Sequence, residues 1–364
     1  MSERCFSAMN NYVPFLKLKV NEVAALSVLE NDVKSVITPF FDLPKKDAMT
    51  PLSFKDLVKK AAASIEKNLK GINVFFLDNF DIDDRLLVDG SNNYEFVIKT
   101  FSNMVFIPVI GLDRSAHRNN LVFESKKRGL IKSDVAAVRL SVEDFESFEL
   151  VRDDIADFLM QGHKLFSKWA LILDNRFCFY VDIKRRAEVI SNFLNDAQGL
   201  FDPDLVVVTG SSVPSSIRDV VAVESEATHS RVELSIYREV AKRVDGHNLC
   251  LGDYTIVSPL YSDLDIPPEA MQNVIAAKII YSYNDVHYVA RGGALKTHPR
   301  GRLQYNDIAM RIVSKPFYRG ASYSFGDNFL NEKANGLGSG ITPSSILKPT
   351  INTHISWMVK DFVV

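Results

Sequence analysis

Cysteine is scarce: the 364 residues hold three, Cys5, Cys178 and Cys250, far apart and without metal-ligand spacing. That usage excludes a disulfide scaffold and suits a reducing cytoplasm. An excess of either charge is missing too. Lys plus Arg number 43 against 45 Asp plus Glu, a net charge of -2, so no global field draws nucleic acid or an anionic membrane. Only a local basic groove is left open. No apolar run approaches membrane-spanning length, and the opening "MSERCFSAMNNYVP" has no signal-peptide core. A soluble, intracellular protein is expected. The histidines, His117, His163, His229, His247, His287, His298 and His354, form no close pair with a carboxylate, so a zinc signature is absent. There is no GxSxG elbow, no GxxxxGK loop, and no glycine fingerprint after the first apolar run.

What is present is rhythm. Apolar residues make up 46% of the chain, enough for a sizeable core. Eight short apolar runs alternate with segments of helical period. They begin with "YVPFLKLK" and continue through "VITPFFDLP", "INVFFLDNF", "VFIPVIGLD", "SDVAAVRLSV", "KWALILDNR" and "PDLVVVTGSS" to "NLCLGDYTIVSP". The runs are nearly continuous in Val, Ile, Leu and Phe, as strands buried on both faces read. Eight such units predict a closed eight-stranded parallel β/α (TIM-type) barrel rather than an open doubly wound sheet. Ser53 is expected to cap the helix after the second run. A long helical stretch opening near Ser215 is expected after the seventh.

Beyond the eighth run the pattern changes. "AAKIIYSYNDVHYVARGGAL" predicts a hairpin turning at Asn284-Asp285. "QYNDIAMRIVSKPFYRG" predicts a closing helix ended by Pro316, and "NEKANGLGSGITPSS" a mobile loop. "INTHISWMVKDFVV" is apolar enough to dock on the body. The expected organisation is one barrel domain over 1–364, with a hairpin insertion at 270–300 and a C-terminal extension at 321–364.

In such barrels the chemistry lies at the carboxyl ends of the strands. The runs end on Lys17 and Lys19, Asp42, Asp78, Asp113, Arg139, Asp174 with Arg176, Ser211 with Ser212, and Asp253. Asp and Ser are ordinary turn formers and caps. Lys17, Arg139 and Arg176 are not, and each follows residues that belong inside. A buried charge needs a partner, so these candidates predict one polar network at one mouth. "TGSSVPSSIRD" adds a candidate phosphate cradle, with backbone amides of the turn and the helix expected after it facing an anion. Arg231 and Glu233, two apart, lack helical salt-bridge spacing and are expected on a solvated face. His354, in the apolar tail, is expected to be a satisfied structural histidine.

The unit "YVPFLKLKVNEVAAL" resembles the start of the beta protein family of bacterial prophages and satellite phages. The residues that carry the resemblance are Tyr12, Pro14, Lys17, Lys19, Glu22, Ala25 and Leu26. Later matches are "TGSSVP", "LGDY", the Arg291-Gly292 pair of "VARGG", and "NTHISW" around His354. The resemblance implies a phage or mobile-element accessory protein, some members lying beside toxic or defence genes, and carries over no catalytic residue. Two functions follow. One is a regulatory or defence-associated barrel that binds a partner encoded by a neighbouring gene, or an anionic small ligand, at the mouth. The other is an enzyme on a phosphorylated or sugar substrate, with carboxylates as acid and base or as ligands to a divalent cation such as Asp78, Asp113 and Asp174 would hold. No cofactor is assigned.

Overall fold

The computed structural model describes residues 12–260 and 275–362. Cys5, the N-terminal segment through residue 11, and residues 270–274 of the expected insertion lie outside the described residues. The barrel unit runs β1 (Val13–Lys17), α1 (Val20–Ser27), β2 (Phe40–Asp42), α2 (Pro51–Asn68), β3 (Phe75–Asp78), α3 (Asn93–Phe101), β4 (Phe106–Ile110) and α4 (Ala116–Lys127). It continues with β5 (Val135–Leu140), α5 (Phe148–Gly162), β6 (Lys168–Phe177), α6 (Ile183–Ala197), β7 (Leu205–Ser211), α7 (Val232–Ala241) and β8 (Leu249–Asp253). Each strand pairs in parallel with the next, and β8 returns to β1 with Gly252 opposite Val13, which closes the barrel.

The unbroken apolar runs now have their reason: both faces of every strand are covered. Phe15, Phe40, Phe76, Ile107, Val207 and their neighbours fill the interior. The alternate residues, such as Leu16, Phe41, Leu77 and Val208, pack under the helices. The α2 cap lies earlier than expected. Thr50 is the N-cap, Ser53 reciprocates from the third helical position, and Pro51 opens the helix where its missing N–H costs nothing.

The expected helix near Ser215 does not form. A three-residue 3-10 turn, Ile217–Asp219, follows Pro214, and the chain then extends as a strand, Ser225–Ser230. That segment alternates half-buried and exposed positions, the period of a strand and not of a helix. It pairs antiparallel with β10 (Val286–Ala294), which forms a hairpin with β9 (Ala276–Tyr283). The hairpin turns at Asn284-Asp285, with Asn284 at φ 44, a conformation that Asn tolerates better than most. α8 (Gln304–Val313) and α9 (Phe325–Ala334) cover the hairpin.

Part of the expected loop is also helix, since Asn331 to Ala334 belong to α9. The buried Lys333 donates to the carbonyls of Leu337 at 2.7 Å and Ser339 at 2.8 Å, which fastens the glycine-rich stretch to that helix. α10 (Leu347–Lys360) docks back on the body, buried from Pro349 through Met358, against α1, α9 and β9.

Candidate functional site at the barrel mouth

Side chains on a strand alternate between faces, and that parity builds the site. Phe15, Phe40, Phe76, Ala137 and Ile172 point inward. Two residues further along their strands come Lys17, Asp42, Asp78, Arg139 and Asp174, so these also face the barrel axis, at its carboxyl end. Register holds neighbours level, with Lys17 opposite Asp42 and Asp42 opposite Asp78.

The charges form a closed circuit. Lys17 donates to Asp42 at 3.1 Å and to Asp81. Arg139 donates to Asp42 at 2.9 Å, to Asp78 at 2.9 Å and to Asp174 at 2.7 Å. The Tyr254 hydroxyl donates to Asp174 at 2.6 Å and accepts from Arg139 at 2.8 Å. Arg176 reaches the same hydroxyl at 3.5 Å and lies 3.7 Å from Asp81, which leads back to Lys17. Arg114 and Arg118 hold Asp78 from outside the circuit.

An aromatic stack runs through it. The Phe15 and Phe40 rings stack at 4.3 Å, the Arg139 guanidinium lies 4.9 Å from Phe40, and Phe80 covers Arg139 at 4.5 Å. Arg176 also lies 4.5 Å from the Phe80 ring. Beside Phe80 and Asp81 opens a cleft of 680 Å³ between the β2–α2 and β3–α3 loops.

Burial alone would raise the Asp42 and Asp78 carboxyls, but Arg139 and Lys17 beside the first, and Arg114, Arg139 and Arg118 around the second, hold both below the usual carboxylate range. Both stay anionic at neutral pH. Neither then has a proton to give, and neither is a strong base. Burial pushes the Tyr254 phenol up, so it remains a donor.

The strand exits are strained. Arg176 and Thr255 adopt φ 51 and φ 55, left-handed conformations that cost a branched residue such as threonine most. Among the described residues, the buried Asn175 Oδ1, Thr209 Oγ1 and Thr255 Oγ1 have no hydrogen-bond partner.

The remaining sequence candidates lie elsewhere. Asp253 is one residue out of phase with the inward Cys250 and Tyr254, so it points out of the barrel. Tyr12 donates to it at 2.5 Å, His354 Nε2 lies 3.1 Å away, and Arg231 pairs with it. Arg231 also holds Glu233 at 3.0 Å, and Ser212 donates to Glu233 at 2.6 Å. Arg231 and Glu233 are therefore buried, not solvated: both precede or open α7, and the irregular N-terminus lets residues two apart turn together. Lys19 is exposed at the N-cap of α1. Asp113 is level with the surface and pairs with Arg114. Arg291 sits on the hairpin and donates to the Val221 carbonyl.

The Gly-Ser turn lacks the helix expected to face an anion. Its hydroxyls are engaged internally, Ser211 with the Val257 carbonyl at 3.3 Å and Ser212 with Glu233. A side chain at Gly210 would meet Cys178 Sγ at 3.0 Å and Asn175 at 3.2 Å. Asp78, Asp113 and Asp174 do not converge. Asp78 and Asp174 face guanidiniums that would repel a divalent cation, and among the described residues no group of three His, Cys, Asp or Glu could hold one.

Ser282, His354 and Asp253 have the composition of a hydrolytic triad, with Ser282 Oγ 2.7 Å from His354 Nδ1. All three are fully buried, so no substrate reaches the hydroxyl, and the constellation joins β8, β9 and α10. Arg114, Arg118, Phe80, Asp81 and Tyr254 went unread in the sequence. Tyr254 alone had a usable signal, its inward phase with Cys250.

A family model described as Beta protein matches residues 12–360, a span that contains every motif from Tyr12 to Trp357. No curated protein matches the chain. Among solved structures, the chain is similar to a lysine/ornithine decarboxylase complexed with cadaverine from Vibrio vulnificus, at 8% identity and a TM-score of 0.24. The matched region covers 69% of this chain and 57% of that one, so this chain spans little more than half of that protein's length. A likeness at that level carries neither chemistry nor ligand across.

Proposed function

Because this chain belongs to the Beta protein family, we propose that it is a phage or mobile-element accessory protein, regulatory or defence-associated, whose barrel mouth binds a small ligand. Binding is favoured over catalysis by one observation: Asp42 and Asp78 are pinned as anions by the cations paired with them. The Asp42 and Asp78 pair then offers no acid and no good base. The ring from Lys17 through Asp42, Arg139, Asp174, Tyr254, Arg176 and Asp81 sets three cations against three carboxylates, and Asp78, beside it, is offset by Arg114 and Arg118. Such a rim suits a neutral or zwitterionic polar molecule better than a net anion.

Phe80 covers the Arg139 and Arg176 guanidiniums, with Asp81 beside Arg176. Phe80 and Asp81 also line the 680 Å³ cleft, a volume in the range of small-molecule sites. The strained backbone at Arg176 and the unpartnered atoms of Asn175, Thr209 and Thr255 support the same end of the barrel as the functional one. The test is affinity capture of small molecules from extracts of infected cells, with wild type and Arg176→Ala in parallel and mass spectrometry as readout. A compound enriched by the wild type and lost with the variant supports the reading. Identical profiles overturn it.

A further inference from the structure

We propose a second site, separate from the mouth: the pocket between α1, the β2–α2 loop and α2 binds a single-chain amphiphilic anion. The pocket measures 380 Å³. Leu18, Val23, Leu57, Ala61 and Leu347 give it an apolar wall. Around it stand four cations, Lys19, Lys45, Lys46 and Lys60, all on exposed positions. The one acidic residue lining the pocket, Glu22, is turned to the back, where its Oε2 accepts from the Lys17 backbone N–H at 2.6 Å.

The sign is local. The whole chain carries -2, yet this rim gathers positive charge from three separate segments, the β1–α1 junction, the β2–α2 loop and α2. An apolar cavity ringed by cations is complementary to a molecule with an alkyl body and an anionic head. A cationic amphiphile of the same length meets the same wall and the wrong rim. A net anion with no alkyl body meets only solvated lysines, whose pairs are weak.

The pocket and the mouth share one loop. Lys45 and Lys46 line this pocket on one flank and the cleft beside Phe80 on the other. Lys17 gives its backbone N–H to Glu22 behind the pocket and its ammonium to Asp42 in the mouth. The two sites nevertheless bind by different chemistry, so the outcome here does not depend on a ligand being found at the mouth.

The experiment titrates decanoate, octanoate and decyltrimethylammonium into the 15N-labelled full chain and follows amide shifts. Decanoate is expected to give saturable shifts in residues 18–23 and 57–64. Octanoate, two methylenes shorter, is expected to bind about tenfold more weakly, from ~0.8 kcal/mol per buried methylene. Decyltrimethylammonium is expected to give no saturable shift. A K45E/K46E double variant, altered only at exposed positions, is expected to lose about tenfold in decanoate affinity. Equal binding of the cationic amphiphile, an unchanged affinity in the double variant, or shifts confined to residues 80–86 each overturn the assignment. So does co-sedimentation with anionic phospholipid vesicles in the absence of decanoate binding, which would make the rim a membrane contact.

Discussion

Tyr254 on the exit of β8 and Asp174 on β6 meet at 2.6 Å, hydroxyl to carboxylate, under the Arg139 guanidinium. This hydrogen bond joins one side of the circuit to the other, and the phenol, pushed up by burial, keeps its proton. Tyr254→Phe removes a donor from Asp174 and an acceptor from Arg139 with little change of shape. The expected loss is about 1–3 kcal/mol, read as a lower urea midpoint with an unchanged slope.

Arg139 and Arg176 differ by depth and should differ by consequence. Arg139 is 2% exposed and serves Asp42, Asp78 and Asp174 together. Arg139→Met leaves those carboxylates short of their shared cation, at a cost of roughly 3–5 kcal/mol. Arg176 stands at the rim, bonded to the Pro259 carbonyl and near Asp81. Arg176→Ala is expected to cost under about 1 kcal/mol. Chemical melts of both variants check the ranking; equal losses would mean that the rim is as structural as the interior.

Glu22 makes stability depend on pH. Burial raises its carboxyl from 4.5 to about 7, against the opposing pull of Lys19. Between those values the folded chain binds a proton that the unfolded chain has released. Its contribution therefore falls as pH rises through that window and levels off above it. Glu22→Gln removes this dependence. The variant should gain on the wild type from pH 4.5 to 7 by at most roughly 3 kcal/mol, measured as the difference between paired urea melts across pH.

The buried histidines have assignable tautomers. His354 Nε2 faces the Asp253 carboxylate, so it carries the hydrogen, and Nδ1 accepts from Ser282. Ser282 Oγ then accepts from His287 Nδ1–H at 2.9 Å, and the buried His287 Nε2 is left bare, without a partner. Burial pushes both imidazoles below their ordinary value, so both are neutral at pH 7. Nitrogen chemical shifts should show Nε2–H for His354 and Nδ1–H for His287, unchanged from pH 6 to 8. The opposite tautomers, or a charged ring at pH 7, would refute this wiring.

The sequence carried the barrel because continuous apolar runs mark strands buried on both faces, and eight of them alternating with helical segments match the strand–helix count of a closed barrel. It carried half of the mouth for a related reason. Lys17, Asp42, Asp78, Arg139 and Asp174 each stand two residues beyond an inward apolar side chain, and that parity can be counted in advance. The same count separates Asp253, one step out of phase, from Tyr254. Phe80, Asp81 and Arg114 stand past the strand ends, where the period of two no longer applies and only the folded loops decide which way a side chain turns. Arg231 and Glu233 looked solvated because helical spacing was the wrong ruler for a helix N-terminus. The strand Ser225–Ser230 was hidden for want of its partner, since its pairing with β10 links segments some sixty residues apart.

The cluster of Tyr12, Asp253, Arg231 and His354 has a consequence for synthesis. Tyr12 leaves the ribosome early, yet its neighbour His354 is 342 residues downstream. Until translation has passed α10, Arg231 and Asp253 have each other, Glu233 and Tyr12 as partners but not the helix that buries them. The seam between β1 and β8 has its own backbone pairing and the Tyr12–Asp253 hydrogen bond, and it gains the His354 contact only when α10 arrives. A nascent chain stalled before residue 347 is thus expected to present the outer side of this seam uncovered, the form a chaperone or protease would meet.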